Sequence, residues 1–231
     1  MIQGVFPRPI RAVVFDLDGL LVDTETVIRD AMTAAATSLG GVLPEAVFLQ
    51  MVGLPAATSD TIVRAHFGPG FPIDAFFAET DRRAHAIFDA EDLLKAGVLE
   101  LIDHLDTEGL PRAIATSSSH RHVERMLAPR GVLARFDAVV ARGDYPRGKP
   151  HPDPFLVAAA RLNLAPEDCL ALEDSHNGVR AAHAAGMMTV MVPDLLEPTE
   201  EMRGLCVAVV ESLGEARAAL RARAGNPAPR D

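Results

Sequence analysis

One stretch limits what this chain can fold into more than any other: Val13-Val14-Phe15-Asp16-Leu17-Asp18-Gly19. Ala12 to Phe15 is a short apolar run with the β-branched content of a buried parallel strand. It stops at two carboxylates two residues apart, followed by a glycine. Asp is a poor strand residue, and a second carboxylate so close adds repulsion. Something must offset that cost. In an open parallel α/β sheet, ligands bind at the carboxyl ends of the strands, where Asp16 would sit. A divalent cation there would neutralise both carboxylates. The alternative is that Asp16 and Asp18 cap a turn before the next helix. A calcium loop is excluded, because Leu20 stands at the fifth position and the glycine comes too early.

A chain of 231 residues is one large domain or a main domain with a smaller insert. A hydrophobic content of 48% supports a sizeable core. The net charge of −10 argues against nucleic acid as the main partner. It leaves a small anionic substrate open, since a bound cation reverses the local field. No apolar stretch approaches the roughly 20 residues that span a bilayer. Pro7, Arg8, Pro9, Arg11 and Asp16 interrupt any signal-peptide core. The expectation is a cytoplasmic chain with no membrane partner. It is expected to be a monomer, since no heptad or long apolar edge stands out. Cys169 and Cys206 lack metal-like spacing and are expected to stay reduced. Ala224 to Asp231 reads as a fraying tail.

Strand one covers roughly residues 11 to 16. Residues 24 to 39 read as a helix, with Thr24 or Asp23 as N-cap and Gly40-Gly41 as the stop. Pro44 to Met51, a segment capped by Ser59 and ending near Gly68, and Ile73 to Phe88 read as three further helices. Residues 23 to about 91 thus hold helices without an intervening strand. From Val98 onward helices and strands alternate. Strands are expected at Arg112–Ala115, Ala138–Ala141, Cys169–Leu172, Thr189–Val192 and Val207–Val210. Helices are expected at Val98–Leu105, from the Ser cluster to about Arg130, and at Asp153–Leu162, Ser175–Ala185 and Leu213–Ala224. Such alternation implies α/β architecture, a Rossmann-like parallel sheet with helices on both faces.

Three more strand ends carry polar clusters. Thr116-Ser117-Ser118-Ser119 either binds an anion at a helix N-terminus or supplies an ordinary N-cap. In Gly148-Lys149-Pro150-His151-Pro152-Asp153-Pro154 the prolines stiffen the loop and hold Lys149 in place. Of the 22 basic residues only Lys95 and Lys149 are lysines, so Lys149 reads as more than a solvated surface group. Glu173-Asp174 again places two carboxylates at a strand end, inviting a cation unless Asp174 or Ser175 merely caps the next helix. His120 and His122 are two apart on a helix and read as surface residues on different faces. His151 reads as a loop residue. No P-loop or dinucleotide fingerprint is present.

These four stretches, in this order, resemble the haloacid dehalogenase-like superfamily of phosphotransferases, over nearly the whole chain. Within it the chain is similar to the branch containing β-phosphoglucomutase and sugar or nucleotide phosphatases, with Phe15–Glu25 and Asn177–Asp194 most like pseudouridine-phosphatase-type members. The resemblance implies a core domain of residues 1–22 and 92–231 and a small α-helical cap domain, residues 23–91, inserted after the first strand. It implies a Mg²⁺-dependent phosphatase acting on a small phosphorylated metabolite through an aspartyl-phosphate. Asp16 would be the nucleophile and Asp18 the acid and base. Thr116, Ser117 and Lys149 would bind phosphate. Asp16, the Asp18 carbonyl, Glu173 and Asp174 would surround the metal. The mutases of that branch carry a His and an Arg in the cap where an ungapped count finds Ile28 and about Ala56 here, which argues against the alternative of a phosphomutase. A non-enzymatic metabolite-binding module is the remaining alternative. Arg29, Arg64, His66, Arg82 and Arg83 read as solvated face residues of the cap.

Overall fold

The computed structural model describes residues 6–54 and 56–224. Six parallel strands form one sheet in the order β3-β2-β1-β4-β5-β6. They are β1 (Ala12–Phe15), β2 (Arg112–Ala115), β3 (Ala138–Val140), β4 (Cys169–Glu173), β5 (Met188–Met191) and β6 (Ala208–Val209). The order reverses at β1, which pairs with β2 on one side and β4 on the other. That reversal leaves a crevice at the carboxyl end of β1, which is where a parallel sheet receives ligands.

Helices cover both faces, and the two layers differ in grain. Val13 and Phe15 face a layer of large aliphatics from α5 (Val98–Glu108), α6 (His120–Leu127) and α10 (Leu213–Ala224). Ala12 and Val14 face the opposite way, onto α7 (Asp153–Arg161) and α8 (His176–Ala184). There Ala113, Ala115, Ala158, Ala171, Ala181 and Ala182 line the contact. Small side chains leave little bulk between α7, α8 and the sheet.

Between β1 and α5 the chain makes α1 (Thr24–Ser38), α2 (Glu45–Phe48), α3 (Ala56–Phe67) and α4 (Ile73–Ala90). These helices share a core of their own, centred on Phe48, Val63, Ile73 and Phe76. Their seam with the sheet passes through Ile28 and through Ala84, Phe88 and Leu93. No helix among the described residues is long and apolar enough to cross a membrane.

Several expected boundaries move. Ser59 does not cap α3, which begins at Ala56 and holds Ser59 within its first turn. The segment from Pro44 shortens to the single turn of α2. Asp23 occupies the N-cap position of α1 but makes no side-chain cap; the Thr24 hydroxyl is directed to Asp18 instead. The six-residue α9 (Glu200–Leu205) was not expected, although Thr199 caps it by accepting from the Met202 N–H. Of the expected fraying tail, Ala224 ends α10 and residues 225–231 lie outside the described residues.

Candidate active site

Four loops at the carboxyl ends of β1, β2, β3 and β4 meet in one cleft of about 760 Å³, roofed by helices of the 24–90 segment. A cleft of that size suits a small metabolite. Each loop brings one of the polar clusters read from the sequence.

Asp16 follows β1 directly, and its backbone N–H donates to the Leu172 carbonyl of β4. Its carboxylate is buried, as are Glu173 and Asp174 at the end of β4. One oxygen from each of the three lies within 4.8 Å of the others. Lys149 is 9% exposed, not the solvated lysine its type usually is. Its ammonium donates to Asp16 Oδ1 and, at 2.5 Å, to Glu173 Oε1. One ammonium therefore faces three buried carboxylates, and the charges do not balance.

The proton affinities express that imbalance. Burial, helped by Glu173 and Asp18, pushes the Asp16 carboxyl up to about 8 despite the opposing Lys149 charge. Burial and the adjoining Glu173 and Asp16 hold Asp174 well above the usual carboxylate range. Burial alone would lower Lys149, but the Asp16 and Glu173 charges outweigh it and raise the ammonium above its ordinary value. Of the three carboxylates Glu173 is the most committed. Its Oε2 accepts from the N–H groups of Asp174 and Ser175 and from the Ser175 hydroxyl. Asp174 Oδ1, in contrast, is buried with no hydrogen-bond partner. All-oxygen donors, surplus negative charge and an orphaned carboxylate oxygen fit a hard divalent cation.

Glycines hold this cluster together. Gly19 has φ +84°, and a Cβ there would come within 2.2 Å of Asp174 Oδ2. At Gly178 a Cβ would fall inside the Glu173 carboxylate, 1.8 Å from Oε1.

Asp18 sits apart from the three. It accepts from Thr24 Oγ1 at 2.7 Å and His122 Nε2 at 3.0 Å on one oxygen, and from Ser118 Oγ at 2.6 Å on the other. Thr116 Oγ1 is 3.4 Å away. Its side chain remains 23% exposed, toward the cleft. Burial disfavours the Asp18 carboxylate, but the hydrogen bonds and the His122 charge prevail and keep its pKa below the ordinary value.

Thr116 and Ser117 lie at the end of β2. Thr116 is buried, its hydroxyl accepting from the Ser118 N–H and its carbonyl from the Tyr145 hydroxyl. Ser117 lies exposed on the cleft wall. The residues expected from the sequence, Asp16, Asp18, Thr116, Ser117, Lys149, Glu173 and Asp174, thus come to one place. Thr24, expected as a cap, Ser118, expected only within the hydroxyl cluster, and His122, expected at the surface, join them as partners of Asp18.

His122 corrects the surface reading. It turns inward onto Asp18 and packs edge-on against Phe88 of α4, ring centroids 5.6 Å apart. His120 does stay outside, paired with Asp144. The visible signal was that His122 and Met126 share a helix face four residues apart, and Met126 is buried. Arg29, Arg64, Arg82 and Arg83 pair with Asp30, Asp60 and Glu79 on helix surfaces, and none lines the cleft.

An open doubly wound sheet whose strand ends gather a buried lysine and three buried carboxylates in one cleft is the architecture of an α/β enzyme. The chain belongs to the haloacid dehalogenase-like hydrolases: the family profile described as "Hydrolase: haloacid dehalogenase-like hydrolase" matches residues 10–186. It is 35% identical over 193 residues to the Drosophila melanogaster protein named "Probable pseudouridine-5'-phosphatase", covering 81% of this chain and 83% of that one. It is 35% identical over 192 residues to the Arabidopsis thaliana "Bifunctional riboflavin kinase/FMN phosphatase", covering 81% of this chain but spanning only 49% of that longer protein. Among solved structures, a HAD family hydrolase from Deinococcus radiodurans R1 with bound phosphate and sodium superposes with a TM-score of 0.77 at 28% identity, covering 95% of this chain and 99% of that one. The enzyme is therefore a hydrolase of that family.

Proposed function

We propose that the enzyme is a Mg²⁺-dependent phosphomonoesterase acting on a small phosphorylated metabolite, a sugar phosphate or a nucleoside monophosphate, through an aspartyl-phosphate on Asp16. The observation that supports this most is the pairing of unlike carboxyls: a crowded Asp16 at the strand end beside Lys149, and a separately held Asp18.

In the first step an Asp16 oxygen attacks phosphorus, the ester P–O bond breaks, and the leaving alkoxide takes a proton from Asp18. In the second, Asp18 takes a proton from water, the water oxygen attacks phosphorus, and Asp16 is released with inorganic phosphate. Lys149, Thr116 and the Ser117 N–H would hold the equatorial phosphate oxygens, whose charge is stabilised during transfer. Asp16, the Asp18 carbonyl and Asp174 would hold the metal, with Glu173 close behind. When bound, Mg²⁺ offsets repulsion between the carboxylates and the phosphate.

Residues 23–91 act as a cap domain on a core of residues 1–22 and 92–231. Their role is to exclude water and select the leaving group. A mutase is disfavoured by the apolar Ile28 in the cleft wall; the side chain of Ala56 lies outside the described residues.

Phosphate release from a panel of sugar phosphates and nucleotides, with Mg²⁺ and with a chelator, tests the reading. Release that requires Mg²⁺ is expected. Conversion of β-glucose 1-phosphate to glucose 6-phosphate without free phosphate would replace the hydrolase by the mutase.

His122 supplies a second test. Its hydrogen bond orients Asp18 and gives the leaving-group proton a neighbouring site. His122→Gln is expected to lower kcat about 10- to 100-fold on alkyl phosphates. On p-nitrophenyl phosphate, whose leaving group needs no proton, the loss should be several-fold smaller. Equal losses on both would show that His122 only supports the fold.

A further inference from the structure

The helical wall of the cleft is unusual in its charge. Phe48, Phe77, Phe88, Ile28 and Met51 are among its apolar members. Its polar members are Thr24, which is turned to Asp18, and Glu25, Ser59, Thr80, Asp81 and His85. No arginine or lysine lies on this wall among the described residues. The arginines of these helices are paired elsewhere, Arg82 and Arg83 both with Glu79. Arg142 lines the cleft only from the opposite, sheet side, on the loop after β3.

One polar atom on that wall is unusual too. Thr80 is 5% exposed, and its hydroxyl has no hydrogen-bond partner. A buried hydroxyl left unpaired is costly, and a ligand group that reaches it gains what water would otherwise supply.

Resting on the phosphatase reading, we propose that the substrate is a monophosphate ester whose organic group is uncharged, presents an apolar or aromatic face to the phenylalanines, and offers one hydrogen-bonding group to Thr80. A second phosphate or a carboxylate would be drawn out of water to face Glu25 and Asp81 with no lysine or arginine on the wall to meet it. Aromatic rings stack on such a wall without penalty. Bisphosphates and phosphorylated carboxylic acids are therefore selected against, while a nucleoside-like or aryl group is accepted.

Matched pairs of esters test this on the full chain with Mg²⁺. One pair is a nucleoside 5'-monophosphate against its 3',5'-bisphosphate; the other is glycerol phosphate against phosphoglycerate. The added anion is expected to lower kcat/KM at least about tenfold, chiefly through KM. Asp81→Arg, on an exposed position of the wall, should shrink that ratio by restoring a cation. Thr80→Val, of equal size, should raise KM for the preferred ester about 5- to 20-fold with kcat little changed. A wild-type enzyme that turns over the bisphosphate or phosphoglycerate as well as its partner overturns the proposal. So does discrimination that neither variant alters, which would place selectivity elsewhere. Failure to hydrolyse any ester removes the phosphatase reading itself, a separate outcome.

Discussion

Asp16→Asn is expected to lose at least about 10⁴-fold in kcat/KM while the fold survives. The amide keeps the shape of the side chain and can still accept from Lys149, but it is not a nucleophile toward phosphorus. The variant also removes a buried carboxyl whose ionisation the crowded acidic cluster opposes. Without metal its Tm should therefore equal or exceed that of the wild type. Phosphate release and thermal denaturation, measured on the same preparation, separate the two effects. An inactive protein that has also unfolded would leave the nucleophile unassigned to Asp16, and an active one would remove it from that role.

Lys149→Met should have the largest effect on stability. Removing one partner from a buried ion cluster costs about 3–5 kcal/mol, because the remaining charges are left uncompensated. Here Asp16, Glu173 and Asp174 would all remain. Denaturant unfolding in the presence of a chelator measures the loss. Saturating Mg²⁺ should recover part of it, and more than it adds to the wild type, because the cation meets more unbalanced charge. The same linkage sets a pH dependence for the wild type. Asp16 rises from 3.8 in the unfolded chain to about 8 in the folded one. Between those values the metal-free folded protein holds a proton that the unfolded chain has released. Its stability from this group is thus present at low pH and lost as pH climbs toward 8. Metal binding must expel that proton, so the Mg²⁺-induced gain in Tm should grow with pH and level off above about 8. A gain that is flat across this range would contradict the charge arrangement.

The sheet could be read from the chain because its strands are short, mostly apolar runs, and the strand-end clusters because three of those runs stop at polar residues with no reason to be in a strand. Ala12–Phe15 stops at Asp16, Arg112–Ala115 at Thr116, and Cys169–Glu173 runs into Asp174. Local chemistry marks such positions, so no long-range information is needed. The lysine was legible from its stiff proline setting. The partners of Asp18 were not legible in the same way. Thr24, Ser118 and His122 come from two helix starts and a loop, and what they touch depends on how α1 and α6 dock on the sheet. Thr24 looked like a cap because Thr is a common cap residue. The two histidines of α6 differ only in rotation about its axis. That rotation is set by the burial of Val123, Met126 and Leu127, which places His122 over Asp18 and His120 in solvent. The arrangement of α1 to α4 as a separate cluster followed from their lack of strands. The selectivity of the wall they present depends on which of their faces turns to the sheet, and that is a tertiary property.

Whether phosphate passes through Asp16 is read by acid-quenched mass spectrometry of Asp18→Asn with p-nitrophenyl phosphate and Mg²⁺. This substrate needs no acid for its leaving group, so the first step should proceed, while the second, which needs Asp18 to activate water, should stall. About one nitrophenolate should be released rapidly per protein, leaving a covalent phosphate on the peptide containing Asp16. A phosphate on any other side chain, or steady hydrolysis at the wild-type rate with none on Asp16, would contradict that route.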